Sequence, residues 1–330
     1  MKCEISKKVQ KMNRKTSDSN EQAQKLFEER GMKALELARE AILEEKIESK
    51  EVKNALQFFM KRWRDFARPG LLSIVCQSIG GKPEGTIDVA IPLILIAGAT
   101  DIHDDIIDES RTKYDQLTVY GKFGKNIAIL AGDALFFKGL SMLNKFFTET
   151  SSIINIVKDM FFELGDAEAL ELQLRKTIAP PAIYLNIIRK KAADVEAHTR
   201  IGAIIGKGTK EEIDALGKYG RLLGMLIILK DDYIDSIEDD ELKHRIQSEH
   251  LPIPLLYALK NQTKTSINKI LRKKNLKRED IQAIKKFIRE AKGLQETAQQ
   301  MEDLIKAGEK QIANIINNTN LKLLLRATKI

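Results

Sequence analysis

The sequence predicts an all-α protein, and three observations support that class. Proline and glycine number only 7 and 19 among 330 residues. Both interrupt regular elements, so their scarcity over this length favours long helices. Apolar residues recur at spacings of three and four in most segments, which is the period of an amphipathic helix. Apolar and polar residues rarely alternate over the length that a half-buried strand needs, so we expect no substantial sheet.

Periodicity and turn signals place ten or more helices in order. Residues 1–20 are polar, charged and aperiodic, so we expect a flexible tail before a single domain over residues 21–330. Clusters such as Gly80-Gly81-Lys82-Pro83 mark helix ends. Helices that are apolar on most sides, such as 87–108 and 213–230, should be central. The predicted helices cover residues 20–47, 51–66, 71–78, 87–108, 126–147, 151–174, 183–205 and 210–236, followed by shorter pieces to residue 330.

Composition and charge narrow the class further. The net charge of +8 admits a nucleic-acid binder, an enzyme for an anionic substrate, or an ordinary surface bias. Lys and Arg are spread along the chain among acidic residues, so we expect no nucleic-acid partner. The first 15 residues contain no apolar core, and apolar stretches such as 90–99 are shorter than a membrane span. With only two cysteines, these features predict a cytoplasmic protein without a transmembrane segment.

Acidic residues close two of the apolar helices. The first cluster is Asp101-Ile102-His103-Asp104-Asp105-Ile106-Ile107-Asp108, and the second is Asp231-Asp232-Tyr233-Ile234-Asp235. Because residues four apart share a helix face, Asp104 and Asp108 should point the same way, as should Asp231 and Asp235. Asp101 lies close to the first face. It is either a further metal contact or a carboxylate that supports the metal ligands.

Paired clusters of this kind indicate a metal site. One such cluster is usually a solvated surface, but two clusters that both close apolar helices are harder to explain without a cation. Mg²⁺ prefers oxygen ligands and takes one or two carboxylates plus substrate phosphates. It can also neutralise charge on a departing diphosphate. The sequence therefore predicts two acidic rows that face each other across an apolar pocket and bind a phosphorylated lipid through Mg²⁺.

At these motifs the chain resembles the all-trans isoprenyl diphosphate synthase (polyprenyl synthetase) family, over about residues 26–321. The matching segments, in order, are Arg68-Pro69, the first acidic cluster, Leu130-Ala131-Gly132-Asp133-Ala134-Leu135, residues 220–235 and Pro254-Leu255-Leu256-Tyr257-Ala258-Leu259. The resemblance implies an isoprenoid-synthase fold with a central apolar cavity in each subunit of a homodimer. It also implies an allylic prenyl diphosphate as substrate and Mg²⁺ as cofactor, with three ions expected beside the diphosphate.

The resemblance implies roles for individual residues. The expected metal ligands are Asp104, Asp105 and Asp108 from the first motif and Asp231, Asp232 and Asp235 from the second. Lys190 resembles the lysine that contacts the allylic diphosphate. Lys113 stands where the family has an arginine, and its positive charge would have a similar role. Ala99 and Thr100 are small residues just before the first motif, which suggests room for a C15 or C20 chain or longer.

The resemblance breaks at the second substrate, isopentenyl diphosphate. Of four positions that build its pocket in the family, only Arg68 matches, because Asp65, Ala97 and Tyr114 replace a lysine, a histidine and an arginine. Ile227-Ile228 also replaces the family's phenylalanine-glutamine pair. A pocket altered in this way should hold a diphosphate poorly.

These departures favour a class I terpene synthase that ionises a C15–C20 allylic diphosphate without elongating it. The alternative is a chain-elongating trans-polyprenyl diphosphate synthase that reaches isopentenyl diphosphate through Lys61, Arg62 or Arg64. Transfer of the prenyl group to another acceptor is a third hypothesis. A non-catalytic partner subunit is the fourth, and it is disfavoured because both acidic motifs are complete.

Overall fold

The structure is a computed structural model that describes residues 2–113, 116–144, 151–175, 177–261, 265–273 and 275–330. Helices dominate it, which confirms the predicted all-α class. They are α1 (Lys2–Leu43), α2 (Lys50–Arg62), α3 (Ala67–Ser78), α4 (Ile87–Ile107), α5 (Val119–Leu143), α6 (Ser151–Leu174), α7 (Pro181–Lys191), α8 (Ala193–Ile205), α9 (Lys210–Asp235), α10 (Asp239–Ser248), α11 (Ile253–Asn261), α12 (Thr265–Leu271), α13 (Arg278–Glu290), α14 (Gly293–Gln311) and α15 (Thr319–Ala327). Two short antiparallel strands, β1 (Thr112–Lys113) and β2 (Gln116–Leu117), form a hairpin.

The chain divides into two compact units. The N-terminal unit comprises residues 24–156 and 201–209, and the C-terminal unit comprises residues 1–23, 157–200 and 210–330. The single domain over residues 21–330 stays a prediction. Helix α1 includes residues 2–20, where the sequence predicted a flexible tail. That segment contains neither proline nor glycine, so nothing in its sequence forces the helix to end.

Helix α4 is the central helix of the N-terminal unit. Its residues 89–99 are all buried. Helix α5 lies close to it, because a Cβ atom on Gly139 would come within 2.8 Å of the carbonyl oxygen of Pro92. On another face, a Cβ atom on Gly98 would lie 2.9 Å from the ring of Phe59 and 3.3 Å from Trp63. These close approaches fix the orientation of the helix that ends in the first acidic cluster.

Among the residues that the structure describes, two helical segments are long and apolar enough to span a membrane, namely Pro83–Ile107 and Val119–Leu143. This corrects the expectation that the apolar stretches are too short, because α4 continues well beyond residues 90–99. In the first segment 72% of the apolar window is buried inside the protein, as in a core helix, whereas in the second only 33% is buried. Helix α5 therefore exposes an apolar face, formed by Ile129, Leu130, Phe137 and Leu140.

Helix α9 is central in the C-terminal unit. The phenolic hydroxyl of its buried Tyr219 donates to the carbonyl oxygen of Leu321 at 2.9 Å. Its buried row comprises Leu216, Tyr219, Leu223, Leu226, Leu229 and finally Asp232. Because Asp232 continues this apolar row, its carboxylate is directed into the unit. Asp231 and Asp235 lie together on an adjacent, more exposed face of the helix, about 100° and 60° from Asp232.

Candidate active site

The first acidic cluster occupies the last two turns of α4 and its C-cap, Asp108. The last turn contains no basic residue in its sequence, and the negative end of the helix dipole lies at the same place. Burial raises the pKa of Asp105, although Lys113 opposes that shift. Asp104 and Asp108 are partly exposed, whereas Asp105 is buried. The carboxylates of the cluster therefore add to the negative partial charge at the C-terminal end of α4.

Lys113, on the hairpin strand β1, is the cation beside this cluster. Its Nζ lies 2.7 Å from Oδ1 of Asp105 and 3.8 Å from Oδ2 of Asp104. Burial works to lower the pKa of Lys113, but the hydrogen bond and the charge of Asp105 raise it overall. The hairpin thus places a tethered ammonium group against two predicted metal ligands. Its predicted contact with a substrate diphosphate stays a prediction.

The carboxylate of Asp101 has a hydrogen-bond partner that was not predicted from the sequence. The indole Nε1 of Trp63 donates to Oδ2 of Asp101 at 2.7 Å. The Trp63 ring stacks on the Phe59 ring with 5.1 Å between their centroids. The backbone carbonyl oxygen of Trp63 accepts from Nη2 of Arg39 at 2.7 Å. Burial raises the pKa of Asp101, and the charge of Arg68 opposes this. The geometry favours a supporting role for Asp101. The one sequence signal was that Trp63 is the only tryptophan in the chain.

Arg68 and Asp65, two of the four second-substrate positions, bind each other. Nη1 of Arg68 lies 2.9 Å from Oδ2 of Asp65, and the backbone N–H of Arg68 donates to Oδ1 of Asp65 at 3.2 Å. Asp65 is buried and Ala97 lies in the buried row of α4. Tyr114, the fourth position, lies outside the described residues. Asp65, which stands where the family has a lysine, therefore forms an ion pair with Arg68, the one of these four positions that matches the family.

The second acidic cluster ends α9. Burial raises the pKa of Asp231, with a further contribution from the charge of Asp232, and burial raises the pKa of Asp235 to about 6. The last turn contains no basic residue in its sequence. Such carboxylates resist ionisation, and a bound divalent cation would relieve that cost.

The donor chemistry of both clusters fits Mg²⁺. Within the described part of the chain, no three His, Cys, Asp or Glu side chains form a preassembled metal cage. What both clusters do supply is carboxylate oxygens, the ligand type that Mg²⁺ prefers.

Asp232 has a different environment from the one predicted. Its side chain is only 2% exposed. Oδ2 accepts from the backbone N–H of Ile253 at 2.9 Å, and Oδ1 forms an ion pair with Arg245 and accepts from the hydroxyl of Tyr184 at 3.3 Å. Both oxygens are thus engaged inside the C-terminal unit. The geometry favours an anchoring role for Asp232 over the predicted role as a metal ligand.

A buried chain of polar contacts extends from this anchor. Nε2 of His250 contacts the hydroxyl of Tyr184, and Nδ1 lies 2.6 Å from Oε1 of Glu171. Lys191 pairs with Glu171 and, at 3.0 Å, with Glu168. Burial works to raise the pKa of Glu171, but the hydrogen bond from His250 and the charge of Lys191 hold the pKa below its usual value. These partners could not be predicted from the sequence, because they lie far apart along the chain.

The remaining predicted site residues are Lys190, Ala99 and Thr100. Lys190 lies in the last turn of α7, and its Nζ is 3.3 Å from Oδ2 of Asp166. Ala99 is fully buried, and Thr100 is partly exposed with its hydroxyl donating to the carbonyl oxygen of Ala97 at 2.7 Å. Their predicted contacts with substrate stay predictions.

The chain belongs to the polyprenyl synthetase family, whose model matches residues 50–288. It is 33% identical to a short chain isoprenyl diphosphate synthase of Methanothermobacter thermautotrophicus over 178 residues, which cover 53% of this chain and 55% of the relative. It is 28% identical to the geranylgeranyl diphosphate synthase of Methanosarcina mazei over 190 residues, 56% and 58% of the two chains. The matched segment thus spans little more than half the length of these curated relatives.

Solved structures agree on the fold. A decaprenyl diphosphate synthase from Rhodobacter capsulatus superposes with a TM-score of 0.82 at 20% identity, covering 94% of this chain and 97% of its own. Geranylgeranyl pyrophosphate synthetase from Pyrococcus horikoshii gives a TM-score of 0.80 at 24% identity, covering 92% and 98%. These similarities establish the predicted all-α isoprenoid-synthase fold.

The comparisons do not support the preference for a terpene synthase. Each of the four proteins above is named as a prenyl diphosphate synthase, which favours the chain-elongating alternative. That preference rested on the altered positions Asp65, Ala97 and Tyr114.

Proposed function

We propose that the protein is a Mg²⁺-dependent, chain-elongating prenyl diphosphate synthase that joins an allylic prenyl diphosphate to isopentenyl diphosphate. The observation that carries the proposal is the pair of acidic clusters at the C-terminal ends of α4 and α9, in a chain of the polyprenyl synthetase family. Both ends are electronegative through side chains and helix dipole alike, which suits the binding of divalent cations.

The proposed site residues divide by charge. Asp104, Asp108, Asp231 and Asp235, with Asp105 beside Lys113, would hold the Mg²⁺ ions, which we expect to number three with substrate bound. Bound Mg²⁺ supplies Lewis-acid stabilisation of the departing diphosphate. Lys113 and Lys190 would bind the diphosphate oxygens as point charges. When substrate binds, Lys113 would exchange its contact with Asp105 for one with phosphate.

Isopentenyl diphosphate must then be held by cations other than those usual in the family. Arg68 keeps one positive charge in the first turn of α3 and pairs with Asp65. Arg64 is exposed and donates through Nη1 to the carbonyl oxygen of Lys61 at 2.9 Å. We propose that Lys61 and Arg64 complete the pocket. Asp65→Asn should then lower the KM for isopentenyl diphosphate, because it removes a negative charge beside Arg68.

Small residues before the first motif support a C15 to C20 product. Ala99 and Thr100 occupy the turn of α4 that precedes Asp104. If the growing chain extends past this turn, a larger side chain there shortens the product. Thr100→Phe should shift the product toward shorter chains at constant Mg²⁺, whereas Thr100→Ser should leave the product length unchanged.

A second copy of the chain is the partner that the apolar face of α5 fits best. Ile129, Leu130, Phe137 and Leu140 fall within an arc of about 100° on the helix, and Phe137 is 70% exposed. Contact with a second copy would cover this face and leave a soluble, cytoplasmic homodimer. Phe137→Glu should convert the dimer to monomer in analytical ultracentrifugation, whereas Ile316→Glu, at an exposed residue of the C-terminal unit, should not.

One product assay tests the proposed activity. The protein and Mg²⁺ are incubated with C10, C15 and C20 allylic diphosphates, each with and without isopentenyl diphosphate, and extracts are analysed by mass spectrometry. Longer diphosphates that form only when isopentenyl diphosphate is present support elongation. Hydrocarbons or alcohols formed in its absence would restore the terpene-synthase hypothesis. An absence of any product would favour a non-catalytic partner subunit.

A further inference from the structure

The positive charge of the chain is concentrated in one segment. Residues 265–292 contain ten Lys and Arg residues and three acidic residues, a net +7 of the total +8. The rest of the chain carries a net +1 in total, although residues 1–15 alone contain six Lys and Arg residues and one acidic residue. Lys and Arg also occur along the rest of the chain, but few acidic residues accompany them in this segment. The C-terminal unit therefore has a strongly basic stretch that the proposed catalytic residues do not use.

The helix α13 in this segment is sharply amphipathic. Its apolar residues Ile281, Ile284, Phe287 and Ile288 are buried. At about 100° per residue, its long polar side chains fall within an arc of about 100° on the opposite side. These side chains are Arg278, Gln282, Lys285, Lys286 and Arg289. The helix is therefore held to the unit by its apolar face. On the opposite side, Gln282 and Lys285 bind Asp239 of α10, while Arg278, Lys286 and Arg289 are exposed.

Exposed cations continue from α12 to the end of α13. Among the described residues of the segment, the exposed ones are Lys269, Arg272, Lys273, Lys277, Arg278, Lys286, Arg289 and Lys292, which we call the basic surface. Lys273 pairs with Asp280 at 2.6 Å, and Lys286 lies 3.8 Å from Glu290. Against these eight cations, the exposed acids of the described segment are Glu279 and Glu290. The exposed side chains thus carry a net +6.

Two polyanions could match such a surface, a nucleic acid or an anionic membrane. Proteins that bind single-stranded nucleic acid combine basic residues with exposed aromatic rings on which bases stack. The segment contains one aromatic residue, Phe287, and it is buried. A membrane of anionic lipids requires only a group of long basic side chains at its surface. The absence of stacking rings from this segment favours the membrane.

We propose that the basic surface of α12 and α13 docks the enzyme reversibly on membranes that contain anionic phospholipids. Lys and Arg side chains reach the headgroup phosphates without insertion of an apolar segment, so the association is electrostatic and salt-sensitive. If the protein makes a prenyl diphosphate, as proposed above, docking also gives the apolar product a short path out of water. Binding itself does not depend on that activity.

Co-sedimentation of the full-length protein with vesicles tests the proposal, without substrate. One set of vesicles contains phosphatidylcholine and phosphatidylglycerol, and the other contains phosphatidylcholine alone. We expect binding to the anionic set only, with release as NaCl is raised. Each basic residue near the surface contributes about a fivefold change in the partition coefficient. A triple variant, Lys269→Gln with Arg272→Gln and Arg289→Gln, should therefore bind about a hundredfold more weakly.

A matched control removes the same charge elsewhere in the C-terminal unit. Lys218, Lys306 and Lys310 are also exposed, and their replacement by glutamine should weaken binding only a few-fold. Equal loss in the two triple variants would overturn the proposal, because net charge and not the basic surface would then control binding. Equal binding to both vesicle sets, or binding to a single-stranded oligonucleotide but not to vesicles, would overturn it as well. The salt titration of the unmodified protein tests the electrostatic origin without any variant.

Discussion

The indole Nε1 of Trp63 donates a hydrogen bond of 2.7 Å to Oδ2 of Asp101, three residues before Asp104 in α4. The contact joins the C-cap of α2 to the helix that carries the first acidic cluster. It places a carboxylate of the acidic row against a neutral donor instead of leaving it free for a metal. The orientation of the last turn of α4 therefore depends in part on a residue outside every acidic motif.

Two variants separate the possible roles of Asp101. Asp101→Asn retains an oxygen that accepts from Trp63 but loses the charge. If Asp101 supports the helix, the Mg²⁺ affinity in a fluorescence or calorimetric titration should change less than about twofold. A loss of tenfold or more would make Asp101 a metal ligand. Trp63→Phe keeps the ring contact with Phe59 but removes the donor, and it should lower the free energy of unfolding by about 1–3 kcal/mol.

Adjacent aspartates in the second cluster should respond in opposite ways to the same change. Asp231→Asn removes a charge that is already costly in the folded protein. Stability in urea should be kept, while Mg²⁺-dependent turnover falls by about 100-fold or more. Asp232→Asn breaks the buried ion pair with Arg245 and should cost about 3–5 kcal/mol of stability. Normal stability with weakened Mg²⁺ binding in Asp232→Asn would restore its assignment as a ligand.

The contrast between Asp231 and Asp232 also shows what could and could not be predicted from the sequence. Helical periodicity predicted the all-α class, the central helices and the grouping of Asp231 with Asp235. The same periodicity could have shown that Asp232 follows Leu229 by three residues and so continues the buried row of α9. The partner Arg245 could not be predicted, because no local pattern indicates which distant guanidinium meets a buried carboxylate. The ion pair between Asp65 and Arg68 could have been predicted from their spacing of three residues. Asp65 was interpreted only as the replacement of a lysine.

Glu171 should stabilise the fold in a pH-dependent way. Its pKa in the folded protein lies below the value in the unfolded chain, which is about 4.3. The ionised form is therefore favoured by folding, and its contribution is complete above that pH and is lost as the pH falls toward the lower, folded pKa. Glu171→Gln leaves Lys191 and His250 without their carboxylate and should cost about 3 kcal/mol at pH 7.

Urea unfolding at pH 7 and at successively lower pH measures this contribution. The difference in stability between the unmodified protein and Glu171→Gln should be constant from pH 7 to about 5 and should shrink below about 4. Glu168→Gln is the matched control, because Glu168 pairs with the same lysine but is partly exposed, and it should cost less than about 1 kcal/mol. A difference that grows on acidification would contradict the assigned direction of the pKa shift.

Two glycines on helices that are consecutive in sequence should respond oppositely to alanine. In an open helix, Gly to Ala stabilises by about 0.5–1 kcal/mol because the unfolded chain loses freedom. An added Cβ on Gly165 of α6 would have no atom of the described residues within 4 Å, so Gly165→Ala should show this gain.

At Gly139 of α5, the added Cβ would lie 2.7 Å from Cγ1 of Ile96 and 2.8 Å from the carbonyl oxygen of Pro92. The backbone of α4 cannot move aside cheaply, so Gly139→Ala should lose about 1–3 kcal/mol in urea unfolding. Because the displaced helix ends in the first acidic cluster, the Mg²⁺ affinity should fall in Gly139→Ala and stay unchanged in Gly165→Ala. Equal stability of the two variants would mean that α4 and α5 lie further apart than these distances indicate.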